Sequence, residues 1–246
     1  MNKLLSNFTK ATVILALLFA VSSCQYSATF GDGIKGDGNW DTQKRTLEGD
    51  FDEIKVSDGV KLVLIQSNNK MVTVITDHNL QSMIKTSIED GVLTIESTED
   101  YSSSQRTTVE VSLPSLKAIR AEGGVSVVNN NKFVAQDLVV EISGGSSTEL
   151  NLEIENLILK ASSGSSLEIE GKAMNLDASA SSGSSIECDK LIANNVKAQS
   201  SSGSSIEVYP VVSLIAKASS GSSVEFANNP QTIEKESSSG GSVSSK

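Results

Sequence analysis

"KASSGSSLEIEG", Lys160 to Gly171, reads on its own as a Gly/Ser-rich linker. The chain repeats it. "ASASSGSSIECD" occupies Ala178–Asp189, "AQSSSGSSIEVY" Ala198–Tyr209 and "AKASSGSSVEFA" Ala216–Ala227. With looser copies included, the glycines are Gly124, Gly145, Gly164, Gly183, Gly203, Gly221 and Gly240, at gaps of 21, 19, 19, 20, 18 and 19 residues. Recurrence every twenty or so residues marks a solenoid. Seven, five and three residues before a glycine stand Leu157, Leu159, Ala161; Leu176, Ala178, Ala180; Val196, Ala198, Ser200; and Leu214, Ala216, Ala218. Three and five after it stand Leu167, Ile169; Ile186, Cys188; Ile206, Val208; and Val224, Phe226. Residues two apart in a strand share a face. Each unit is therefore a strand, a corner at Ser-Ser-Gly-Ser-Ser, and a second strand, with one face turned in. A linker would not keep phase with two amphipathic strands. Glycine permits the backbone angles of a corner. The serines are expected to hydrogen-bond to their equivalents one rung away. Inward residues shrink from Leu to Ala toward the corner, so the two walls converge there. Rungs about 4.8 Å apart make a rod of roughly 30 Å.

Composition narrows the function. Lys and Arg number 20 against 30 Asp and Glu, a net charge of −10. That surface repels phosphate, so nucleic acid is not a partner. Aromatic residues are only 4% of the chain, so the core is built from Val, Ile, Leu and Ala. The first 23 residues read as a signal peptide: Lys3 and Lys10, then the apolar run Ala11 to Val21, 11 residues long. A spanning helix needs about 20, so this is a leader's apolar stretch and not an anchor. It runs into Ser22-Ser23-Cys24, which resembles the lipobox of bacterial lipoproteins. The resemblance implies that Cys24 is acylated and that the membrane is a partner through that anchor. Residues 24–40, with Gly31, Gly33, Gly36 and Gly38, are expected to be a flexible tether, with Trp40 at the domain edge. Cys188 is the one other cysteine, so no internal disulfide forms.

The domain is read as 41–246, with irregular rungs over 41–122 and regular Gly/Ser-cornered rungs over 123–246. In the first part, alternating runs break at Asp58-Gly59, Asn68-Asn69 and Asp90-Gly91, which are strand and turn signals.

Candidate chemistry is sparse. Four residues after successive glycines come Glu149, Glu168, Glu187, Glu207 and Glu225. They lie between inward residues, so they face out and stack in one column. Neighbouring charges about 5 Å apart in water repel by roughly 1 kcal/mol, which a solvated wall can bear. Such a wall also discourages lateral aggregation. The sharper reading is a row of Ca²⁺ sites, but one carboxylate per rung is too few for specific chelation. Lys160 and Lys217 are expected to neutralise part of the column. The serine columns either satisfy their own backbone or offer hydroxyls to a glycan or protein. Cys188 reads as a buried, inert thiol. His78, the only imidazole, falls in a surface turn, and no serine has an evident base, so no triad is expected. No cofactor is implied.

The "SGGSS", "SSGSS" and "SGGSV" corners follow a lipoprotein signal and an opening of Gly38-Asn39-Trp40, Gly49, Phe51, Ile54, Val56, Ser57 and Gly59. This combination resembles the putative auto-transporter adhesin family with the head GIN domain, common in Bacteroidota. The resemblance covers about Trp40 to Lys246. It implies an all-β, right-handed β-helix (a β-solenoid) without catalytic residues and with a role in adhesion at the cell envelope, here as an outer-membrane lipoprotein on either the periplasmic or the surface-exposed face. The Gly-Ile-Asn signature stands here as Gly59-Val60-Lys61 and Gly124-Val125-Ser126, so a role tied to the Asn does not carry over. The expectation is a non-enzymatic envelope lipoprotein serving as adhesin or scaffold. A periplasmic protein-binding or envelope-stress module is the first alternative. A carbohydrate-active enzyme on the same fold is the second, and would need converging carboxylates in a groove. The end of the solenoid, near Gly240, offers an edge for self-association.

Overall fold

The alternation seen in sequence builds long strands: Phe133–Ser143, Ser147–Ala161, Ser166–Ala180, Ser185–Ser200 and Ser205–Ala218. The computed structural model describes residues 33–246, so the residues read as a signal peptide, 1–23, and Cys24 lie outside it. Each strand after the first runs from one glycine corner to the next, and one bent strand plus one corner makes a coil. Successive coils pair in parallel, Leu157 on Leu176 on Val196 on Leu214. The next coil divides into Ser223–Phe226 and Thr232–Ser237, parallel to the coil beneath, and Ser242–Ser245 opens a further coil on Ser223–Phe226. The inward columns are buried from the first coils as far as Phe226, and they form one continuous hydrophobic core.

The corners share one backbone geometry. Ser163, Ser182, Ser202 and Ser220 all have φ 54°, and Gly164, Gly183, Gly203 and Gly221 all have φ 70°. Two successive residues at positive φ form a type I′ turn. The turn closes through Ser184 N–H to Ser181 O, 3.3 Å, with the same bond at Ser204 and Ser222. The expected hydroxyl-to-hydroxyl ladder is not how the corner is held. The serine after Gly145, Gly164, Gly183, Gly203 and Gly221 is buried, and its hydroxyl meets carbonyls. Ser184 Oγ lies 2.8 Å from Ser181 O and 2.9 Å from Ala161 O one coil away, and accepts from Ser181 N–H at 3.1 Å. Ser165 and Ser204 repeat the pattern. Only outside the core does one hydroxyl reach its equivalent, Ser205 Oγ to Ser185 Oγ at 3.2 Å. Ser184→Ala removes these three contacts, while Ser181 N–H, Ser181 O and Ala161 O each keep one backbone bond, and should cost about 1 kcal/mol. Ser181→Ala, on the outer side of the same corner, should stay within about 0.5 kcal/mol. Urea denaturation of the two variants measures the difference.

The first coils are laid down out of order. Glu53–Val56 and Lys61–Gln66 form a coil joined by Asp58-Gly59. It lies between Val92–Ser97 with Thr108–Leu113 on one side and Ala118–Glu122 with Ser126–Asn129 on the other. Asp58 (φ 64°) and Gly59 (φ 70°) are thus a further corner, stacked by Gly59 N–H to Gly123 O at 2.9 Å. Lys61 pairs with Ser126, so the two variants of the family signature sit one on the other. Asp90-Gly91 has similar angles but makes a hairpin, Glu89 opposite Val92. Strands Trp40–Arg45, Met71–Asp77 and Ile84–Glu89 pair antiparallel and close this end. The region read as irregular rungs is therefore part coil and part antiparallel cover. The expected tether is docked from Ile34 onward: Ile34–Lys35 pairs with Tyr101–Ser102, and Trp40 Nε1 donates to Ser104 Oγ.

Candidate functional site

Two walls leave the glycine corner, and their charges differ. The wall after the glycine stacks Glu149, Glu168, Glu187, Glu207 and Glu225 in register, as the spacing requires. Two of the five hold a lysine. Lys190 Nζ is 2.9 Å from Glu168 Oε1. Lys246 bridges Glu207 and Asp189, and these partners push its pKa up to about 12. Lys160 and Lys217 do not serve this column. They stand four before their glycines, across the corner, where they pair with Glu141 at 2.7 Å and Glu236 at 2.6 Å. Among the described residues, no group of three or more His, Cys, Asp or Glu side chains is placed to hold a metal ion.

The wall before the glycine carries Glu141, Lys160, Ser179, Gln199, Lys217 and Glu236 in one column. Its two acids and two bases cancel. Beside it runs a second outward column, Ser143, Ser162, Ser181, Ser201, Ser219 and Ser238. The residues beneath are Ala161, Ala180, Ser200 and Ala218, all buried. Small inward side chains let the backbone sink toward the axis, and the outer surface follows it into a furrow of about 740 Å³. The narrowing read from Leu-to-Ala shrinkage is the cause of this concavity. Ion pairs close the furrow at both ends, with Arg120 between Glu53 (2.7 Å) and Glu141 (3.4 Å) at one and Lys217–Glu236 at the other. Lys160 holds the Glu141 carboxyl below its usual range, with Arg120 assisting. The middle is neutral: Ser179, Ser181, Gln199 and Ser201.

A parallel, shallower furrow of about 280 Å³ runs along the same wall between Ile158 and Ile215. Its edge is a ladder missing from the sequence reading. Asn156 Nδ2 donates to Asp137 Oδ1 (2.8 Å), Asn175 Nδ2 to Asn156 Oδ1 (2.8 Å), Asn195 Nδ2 to Asn175 Oδ1 (3.0 Å), and Ser213 Oγ to Asn195 Oδ1 (2.9 Å). Every donor points toward Asp137, a carboxylate that only accepts. These residues all stand eight before a glycine, a phase that the sequence does contain.

Cys188 is fully buried, opposite Val208, and burial, with Asp189 and Glu187 nearby, pushes its thiol far above the ordinary range. It has no access to a substrate. His78 is exposed in the short helix His78–Leu80, with Nδ1 3.2 Å from Asp41 Oδ2.

A family model described as "Putative auto-transporter adhesin, head GIN domain" matches residues 50–230. The chain belongs to that family. The head GIN domain also resembles solved structures. A putative adhesin from Bacteroides fragilis superposes with a TM-score of 0.82 at 18% identity, covering 87% of this chain and 100% of that one. A putative adhesin from Parabacteroides merdae gives 0.67 at 21%, covering 87% and 98%. A protein from Parabacteroides distasonis described as putative lipid binding gives 0.71 at 18%, covering 87% and 99%. At these identities the likeness establishes the fold of this head GIN domain. No curated protein matches the chain.

Proposed function

We propose that this head GIN domain is a non-catalytic adhesin of the cell envelope, held at the outer membrane through acylated Cys24, that binds an extended polar chain along the furrowed wall. The furrow carries the reading: it is long, concave, neutral in its middle, and floored by outward hydroxyls. The buried corner serines are spent on carbonyls, so the outward column is the one left to meet a ligand. The opposite wall, with its stacked glutamates, repels anions and stays solvated. Hydrolysis of a glycan would need a carboxyl whose pKa is raised. Glu141 is shifted the other way by Lys160. Among the described residues no helix is long and apolar enough to cross a membrane, so an anchor upstream is consistent with this reading.

Two experiments test it. Protease shaving of intact cells should remove the domain, and Cys24→Ala should release it into the soluble fraction. Protection until lysis would overturn the adhesin and favour a periplasmic binding module. The pair Ser181→Arg and Ser201→Arg fills the furrow without touching the core. Cell adhesion should fall at least about tenfold, roughly 1.4 kcal/mol, with the melting transition unchanged. Full adhesion by this variant would move the binding surface elsewhere.

A further inference from the structure

The terminal rung breaks the inward pattern. Five before the glycine stand Leu159, Ala178, Ala198 and Ala216, all buried. In the last rung that position is Lys235, stacked on Ala216. Its Nζ lies 4.4 Å from the centroid of the Phe226 ring, over the end of the core. Strand Thr232–Ser237 pairs with Ser205–Ala218 on one side, and all six of its residues are exposed. Among the described residues Ser205–Ala218 is the one strand in register with it, and its other edge is unpaired. Such an edge templates pairing with another chain.

A second copy would meet this edge about a two-fold axis, with the strands antiparallel. The core continues across the junction only where inward residues oppose inward residues. Two registers that achieve that pair five of the strand's six residues. In one, Lys235 opposes Lys235 of the second copy, and Glu234 opposes Glu236 on both sides. In the other, Glu234 opposes Glu234. Like charges directly opposite destabilise an antiparallel pair. We propose that Glu234-Lys235-Glu236 is a charge code that keeps the terminal rung from pairing with a second copy, so that each anchored domain stands as a separate solenoid. The inward lysine alone would block continuation of the core. The flanking glutamates set like charges opposite each other in both five-residue registers.

The test uses the full chain with Cys24→Ser, which prevents acylation, in sedimentation equilibrium. The parent should be monomeric over the accessible concentration range. Glu234→Lys with Lys235→Val converts the register centred on 235 to two Lys–Glu pairs around a Val–Val pair, and should dimerise. Adding Glu236→Lys restores like charges on both sides and should return the monomer. Three results would overturn the proposal: a folded double variant that stays monomeric, a triple variant that dimerises as strongly, or a parent dimer that protects 232–237 from deuterium exchange. Circular dichroism establishes that each variant is folded.

Discussion

Gly171→Ala should be the most damaging single-methyl change in the regular part of the solenoid, costing about 3 kcal/mol or more. Gly171 is outside the corner motif, at φ 115° on the far side of the coil from the glycine corners. A Cβ there would stand 2.0 Å from Leu152 O and 3.0 Å from Leu152 C, both backbone atoms. Leu152 is itself buried and lies between Gly171 and Phe133 in the stack. It cannot yield without shifting two coils. Gly183→Ala is the natural comparison. Gly183 has φ 70°, but nothing lies within 4 Å of an added Cβ. Only the left-handed backbone is penalised, about 1–2 kcal/mol. Urea midpoints of the two variants, measured on the same background, should therefore separate clearly. Equal losses would mean that Leu152 relaxes freely and that backbone angle alone governs both sites.

That contrast shows what the sequence makes legible. The corner glycines are visible because they recur in phase with even-spaced apolar residues, and the coil structure follows from that phase alone. Gly171 recurs nowhere, and its role depends on which carbonyl lies above it. The gaps of 20 and 18 residues announce that coils differ in length. They do not say that the difference is absorbed as register shifts near Cys188–Ile192 and Ala193–Asn195. The order of the first coils is hidden for a related reason. Asp58-Gly59 and Asp90-Gly91 offer the same dipeptide and similar angles, and only the neighbours each strand finds make one a corner and the other a hairpin. Lys160 and Lys217 are a matter of sign. Four before and four after a glycine are equally outward, but on opposite walls. The furrow was half visible: the shrinking inward residues predict convergent walls, and the concave outer surface is their consequence. The asparagine ladder was in phase throughout and is found once positions are counted from the glycine in both directions.

Asp77 should control the attachment of the segment leading into the domain, and acid should release it. The Asp77 carboxylate is fully buried and accepts from Ser103 Oγ (2.6 Å), Ser104 Oγ (2.7 Å), Ser104 N–H (2.8 Å) and Gly38 N–H (2.8 Å). The Ser103 hydroxyl is the leading cause that lowers its pKa from 3.8 to about 2, with burial opposing and Ser104 and Gly38 assisting. A carboxyl whose pKa is lower in the folded chain stabilises the fold above its ordinary value. That contribution falls away as pH drops from about 4 and is lost on passing about 2. Trp40, the only tryptophan, reports the event, because its Nε1 donates to the same Ser104 that holds Asp77. Its emission should change in an acid titration over this window before the solenoid core melts. Asp77→Ala should give the acid-like spectrum at neutral pH, together with faster proteolysis near Gly36–Asn39. Gly36→Ala should reproduce it from the other side, since a Cβ at Gly36 would stand 2.2 Å from Asp77 Oδ2. Agreement between these two variants and the acid form would assign the transition to this carboxylate. An unchanged spectrum in Asp77→Ala would show that Ile34–Lys35 pairing with Tyr101–Ser102 holds the segment unaided.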